Sequence, residues 1–132
     1  TRLVGVEPEV IAKYNVVSAP VAARMALGAA AASGSDIAVS VTGVAGPTGG
    51  DEVRPVGTVY LGAARGDTVY VQKLFVSRPD RALVRARAAQ AALALALRLA
   101  QGKVPAHTKP LAASEQHSAA ALDALNEAFL AE

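Results

Sequence analysis

Ile37-Ala38-Val39-Ser40-Val41-Thr42-Gly43-Val44-Ala45-Gly46-Pro47-Thr48-Gly49-Gly50 sets a mostly apolar run against a loop with four glycines. The run 37–41 predicts a strand buried on both faces, in the middle of a sheet covered by helices. Shortly after Gly50, Pro55-Val56-Gly57-Thr58-Val59-Tyr60 opens a second strand. A glycine loop at the carboxyl end of a strand offers bare backbone N–H groups. Glycine permits positive φ and the close approach of an anion, and that edge of an open α/β sheet is where ligands bind. The run is neither common phosphate fingerprint. It lacks the Gly-Lys-Ser/Thr ending of a P-loop, and its glycines do not open directly into a helix as G-x-G-x-x-G does. Taken alone, it also fits an ordinary flexible connection.

Working upstream, residues 8–14 predict a short helix, with Pro8 in its first turn and Val10, Ile11 and Tyr14 at helical spacing. Ser18 reads as the N-cap of a helix over 19–33. That helix is expected to turn Val21, Met25, Gly28 and Ala29 inward, with Arg24 reaching out to water. Downstream, strands are expected over 56–64 and 68–76, joined by a hairpin turn at Arg65-Gly66-Asp67. Asp80 caps a long helix to about residue 100, stopped by Gly102 and Pro105. This order of elements predicts an α/β fold, a three-layer α/β/α sandwich with a mixed sheet. It places residues 1–102 in the domain. Residues 103–132 form a linker followed by a final helix, capped near Ser114-Glu115-Gln116-His117 and striped with Ala121, Leu122, Leu125, Phe129 and Leu130. That tail fits packing on its own domain or docking on another subunit.

Composition narrows the classes. The 132 residues make one domain, 52% hydrophobic but 4% aromatic, so alanine-rich helices must lie close to the sheet. A net charge of +2 gives no basis for nucleic-acid binding. The absence of cysteine excludes disulfides and thiolate chemistry and fits a cytoplasmic location. The apolar run 86–100, interrupted by Arg87, Gln90 and Arg98, is too short for a bilayer, so no membrane partner is expected. His107 and His117 lack a ligand pattern, and the adjacent Asp51 and Glu52 point apart. No metal and no cofactor are expected.

Candidate ligand-holding residues follow from the loop. Thr42 ends the strand with a hydroxyl suited to a phosphate or an amide. Gly43, Ala45, Gly46, Gly49 and Gly50 supply backbone donors, and Thr58 stands on the same edge. Arg81 and Arg85 lie one helical turn apart on one face of the long helix. Cations there oppose the helix dipole, whereas arginine forks suit phosphate. Arg54 and Arg87 are further cations that fit either phosphate contact or a solvated surface.

The block from Thr42 to Tyr60 resembles the signature of the CinA C-terminal domain family, the domain of competence/damage-inducible protein A that also occurs alone as a bacterial nicotinamide-nucleotide amidase. The family carries Thr-Gly-(Ile/Val)-Ala-Gly-Pro-x-Gly-Gly, a short spacer, then Lys-Pro-Val-Gly-Thr-Val. Here the spacer is Asp51-Glu52-Val53, and Arg54 replaces the lysine. The similarity extends through Leu3-Val4-Gly5-Val6, Asn15-Val16-Val17-Ser18, Asp80-Arg81 and Arg87-Ala88-Ala89. It implies hydrolysis of nicotinamide mononucleotide to nicotinate mononucleotide and ammonia in pyridine nucleotide salvage, without metal; independently of the resemblance, a homo-oligomer is expected. The family's domain starts upstream of this chain, with an Ala-Glu-Ser-Cys-Thr-Gly-Gly helix holding the serine nucleophile. The chain is therefore expected to be an N-terminally truncated domain. It would carry the substrate loop, with its catalytic nucleophile upstream of Thr1. The rival reading is a non-catalytic, partner-docking module of a competence/damage-inducible protein.

Overall fold

The computed structural model describes residues 6–44, 50, 54–77 and 80–131. Helix α1 (Pro8–Tyr14) starts on its proline and ends at Asn15, whose φ is 79°. The Asn15 side chain accepts from the Val17 N–H at 3.0 Å and so turns the chain into the next helix. Ser18 caps α2 (Ala19–Ser33), accepting from the Val21 N–H at 3.3 Å and donating to the Asn15 carbonyl at 2.8 Å. The inward face of α2 differs from expectation. Val21 is buried, but Met25, Gly28 and Ala29 are partly exposed, and Ala22, Ala23 and Ala26 make the fully buried row. Small side chains let the α2 backbone approach the sheet so closely that Ser40 Oγ donates to the Ala22 carbonyl at 2.6 Å.

Among the described residues four strands follow: β1 (Ile37–Gly43), β2 (Thr58–Arg65), β3 (Thr68–Phe75) and β4 (Lys109–Ala112). They lie in the order β1-β2-β3-β4. Every described pair is antiparallel, where the sequence suggested a mixed sheet. The geometry requires it: β1 leaves and β2 enters at one end of the sheet, and the Gly66-Asp67 turn folds β2 straight back onto β3. β1 is also a correction. Among the described residues it is an edge strand rather than a central one, with Val41 42% exposed. Its apolar character comes from helices over both faces. Faces and neighbours are independent, so a continuous apolar run does not distinguish the edge from the middle.

Strand alternation sorts the core into two layers. Tyr60 and Ala64 of β2 and Val69 and Val71 of β3 join Ala22, Ala23 and Ala26 on one face. Val59, Leu61 and Ala63 of β2 face the other way, onto Val84, Ala88, Leu95 and Leu99 of α3 (Arg81–Ala100). The three-layer α/β/α arrangement is thus present, with α2 and α3 on opposite faces.

The segment 103–113, expected as a linker, contains β4, which pairs with β3 through Val69↔Leu111 and Tyr70↔Pro110. An edge strand tolerates a proline because it needs no ladder donor on its open side. A 3₁₀ turn (Ala113–Glu115) follows, and Ser118, not 114–117, caps α4 (Ala119–Leu130) by accepting from the Ala121 N–H at 3.2 Å. α4 packs beside α2, and Phe129 meets the Tyr60 ring edge-on at 5.8 Å.

Candidate functional site

The expected ligand edge is the end of the sheet where β1 finishes, β2 starts and β3 finishes. Three backbone bonds lace it together. The Val44 N–H donates to the Thr58 carbonyl at 2.9 Å, Gly57 N–H to Val44 at 2.7 Å, and Val76 N–H to Gly57 at 3.0 Å. Gly43 has no room for a side chain: a Cβ there would lie 2.9 Å from both the Thr58 carbonyl oxygen and Val59 Cγ2. α3 begins just after β3, its N-terminus capped by Asp80 accepting from the Leu83 N–H at 2.8 Å. Arg81 and Arg85 are both exposed in its first turns, and Gly50 is exposed beside the strand ends. Ala45, Gly46 and Gly49 lie outside the described residues.

The polar groups here are more committed than their sequence positions suggested. Thr42 is 9% exposed and its hydroxyl donates to the Val16 carbonyl at 2.8 Å. Its proton is spent on the fold, leaving lone pairs that suit an amide N–H better than a phosphate. Thr58, expected on the ligand edge, is buried and donates to the Pro55 carbonyl at 2.7 Å. Arg54 donates from Nε to Val17 at 2.6 Å and from Nη2 to Tyr14 at 2.7 Å. It ties the re-entering loop to the α1–α2 connection. A fork already holding two carbonyls is a structural clamp.

Beside this lacing lies a cleft of 410 Å3 lined by Pro55, Thr58, Lys73 and Phe75. Thr58 is the cross-strand partner of Phe75, and Tyr60 of Lys73. Lys73 Nζ sits 5.9 Å from the centre of the Tyr60 ring, and Phe75 is 52% exposed. Neither Lys73 nor Phe75 was among the sequence candidates. The readable signal was a lysine and an aromatic two residues apart on the same face of a strand that ends at the ligand edge. A larger cavity of 570 Å3, bordered by Asp36, Arg65 and Gly66, sits at the opposite end of the sheet.

A second polar cluster joins α1, α2 and α4. Arg24, expected in water, is 2% exposed, and its Nη2 pairs with Glu7 at 2.8 Å. Helix α1 covers that side of α2, which the periodicity of α2 alone does not reveal. A backbone hydrogen bond, then Arg24, holds the Glu7 carboxyl below its usual range. Tyr14 donates its phenol proton to Asp123, and Lys13 Nζ lies 3.0 Å from the same carboxylate. Asp123 is consequently lowered by Tyr14 first and Lys13 second. Tyr14 is raised by burial and then by Asp123, and Lys13 is raised chiefly by Asp123. His117 Nδ1 is 3.9 Å from Glu7. Among the described residues no group of three or more His, Cys, Asp or Glu could hold a metal ion, and no helix is long and apolar enough to cross a membrane.

The family model of the CinA C-terminal domain matches residues 1–100. The chain belongs to the CinA C-terminal domain family. It is 51% identical over 85 residues to a CinA-like protein of Geobacter sp. (strain M21), covering 64% of this chain and 20% of that protein. It is 43% identical over 94 residues to the nicotinamide-nucleotide amidohydrolase PncC of Escherichia coli (strain K12), covering 70% of this chain and 56% of PncC. Among solved structures, the competence/damage inducible protein CihA from Agrobacterium tumefaciens superposes with a TM-score of 0.71 at 34% identity, over 75% of this chain and 61% of that one. A CinA superfamily protein from Escherichia coli gives 0.68 at 33%, over 74% and 56%. The chain thus spans a fifth of the CinA-like relative and just over half of PncC.

Proposed function

We propose that this chain forms the substrate-holding part of a cytoplasmic amidohydrolase that converts nicotinamide mononucleotide to nicotinate mononucleotide and ammonia. The observation that carries the reading is the likeness to PncC over 94 residues. A strand end whose threonine keeps hydrogen-bond acceptor capacity, and a helix α3 with exposed arginines in its first turns, support it. In this reading a hydroxyl nucleophile attacks the carboxamide carbon, and its proton passes through a base to the departing ammonia. Water then releases the acyl group as the nicotinate carboxylate. The nucleophile is assigned to the serine that the family resemblance places upstream of Thr1. Thr42 accepts from the carboxamide N–H, backbone donors of the glycine loop hold the oxyanion, and Arg81 and Arg85 take the phosphate.

The test is ammonia release from nicotinamide mononucleotide by the full-length natural protein. Thr42→Val removes the acceptor while conserving shape. It is expected to lower kcat/KM by about tenfold or more, the worth of one lost hydrogen bond to a substrate polar group. Absence of ammonia release by the unaltered protein at saturating substrate would refute the reading.

A further inference from the structure

We infer that the cleft between Pro55, Thr58, Lys73 and Phe75 is the subsite for the flat ring and the phosphate of a nucleoside monophosphate. Phe75 packs on the ring and Lys73 takes the phosphate. The inference deepens the amidohydrolase reading and, for nicotinamide mononucleotide as ligand, rests on it.

The volume is the first support. At 410 Å3 the cleft falls in the range of small-ligand sites, roughly 300–1,000 Å3. Position is the second. Phe75 is the last residue of β3, directly across from the first residue of β2, at the sheet end where the glycine run leaves β1. The third is the exposure of Phe75. A phenylalanine 52% exposed in a chain with 4% aromatic residues is placed against the hydrophobic effect, and it lines this open cleft. A ribosylated nicotinamide ring is a pyridinium cation, and the face of an aromatic ring attracts such a cation.

The fourth support is charge. Of the described residues lining the cleft, Lys73 is the charged one, and none of them is a carboxylate. The Tyr60 ring lies beneath its ammonium, and Phe129 fixes that ring edge-on from α4. Lys73 and Phe75 project from the same face of the strand about 7 Å apart, two residues at about 3.3 Å each. That spacing is comparable with the span of a ribose joining a ring to its 5′-phosphate.

The experiment is calorimetric titration of the full-length natural protein with nicotinamide mononucleotide, nicotinamide riboside and adenosine monophosphate. Phe75→Ala is expected to weaken nicotinamide mononucleotide and the riboside alike by about tenfold, and Phe75→Tyr to restore most of the loss. Lys73→Gln is expected to weaken the mononucleotide by about tenfold and leave the riboside, which has no phosphate, unchanged. Circular dichroism confirms that each variant is folded. If the unaltered protein binds the mononucleotide and both variants bind it equally well, the subsite is refuted while the amidohydrolase reading stands. If it ignores nicotinamide ligands but binds adenosine monophosphate with the same variant losses, the subsite stands and the nicotinamide reading falls. If it binds none of the three, both fall. A change of oligomeric state without a change of affinity in Phe75→Ala would make this face a subunit contact and overturn the inference.

Discussion

At the scale of single residues, the chain repeatedly spends a polar or small side chain on holding backbone segments together. Ser40, Thr42, Thr58 and Arg54 each donate to a main-chain carbonyl. The sequence shows such residues but, for Ser40, Thr42 and Arg54, not their acceptors, because those carbonyls come from segments far along the chain; the Thr58 acceptor, Pro55, is local. Thr42 and Val16 are 26 positions apart, and Arg54 and Tyr14 are 40 apart. Local caps were legible for the opposite reason: Ser18 and Asp80 bond donors three residues on. Gly62 shows what the closest of these approaches demands. It is buried on β2 with cross-strand partners Ser40↔Gly62 and Gly62↔Val71. A Cβ at this position would press on the Ala22 carbonyl oxygen and lie 2.8 Å from Ser40 Oγ. Neither the α2 backbone nor the Ser40 bond can yield without lifting the helix from the sheet. Gly62→Ala is therefore expected to destabilise the fold by about 1–3 kcal/mol or more, as overpacking does. Urea denaturation measures it, and a midpoint equal to that of the unaltered protein would contradict the close-approach argument.

Elements were read well where a strong local period or cap defined them and poorly where a neighbour did. α1, α2, the β2–β3 hairpin and α3 stand within a residue or two of their expected limits. β4 was missed because Pro110 within it and Pro105 just before it argue against a strand. Its existence depends on β3 offering an open edge, a fact of tertiary structure. The final helix was read, but its place was not. The apolar stripe of Leu122, Leu125 and Phe129 lies on α2 and the sheet, so the tail is a second cover of one face. That removes one support for a separate docking tail. Phe129 is 2% exposed and braces Tyr60, which in turn backs Lys73. Phe129→Ala is expected to cost about 3–5 kcal/mol, the loss of a buried aromatic with its cavity. Thermal unfolding should fall by about 10 °C or more, since about 1 kcal/mol moves a domain of this size by a few degrees. A fall of less than about 2 °C would mean that α4 lies loosely on the sheet.

For the whole molecule, the question is what fastens α1 and α4, the two helices least tied to the sheet. The described contacts give two ionic clasps, Glu7 with the buried Arg24 and Asp123 with Tyr14 and Lys13. Composition gave no hint of them, because charges from positions 7, 24, 13 and 123 meet only after folding. They set the pH range of stability. Glu7 and Asp123 have lowered folded values. The unfolded chain therefore binds more protons than the folded one as pH falls, and stability is lost below the usual carboxylate value of about 4. Tyr14 and Lys13 have raised values. Their contribution is full below about 10, the usual range for both groups, and is lost as pH climbs through the raised values. A plateau from about pH 5 to about 9 is expected, with decline on both sides. Asp123→Asn should shrink both limbs, since it removes the lowered carboxylate and the partner that raises Tyr14 and Lys13. Adding Glu7→Gln should remove most of the remaining acid slope and leave the alkaline limb as it was. Thermal melts followed by circular dichroism between pH 3 and 11 read both slopes. If the double variant kept the acid limb of the unaltered protein, the clasps would carry no share of it, and α1 and α4 would be held by their apolar faces alone.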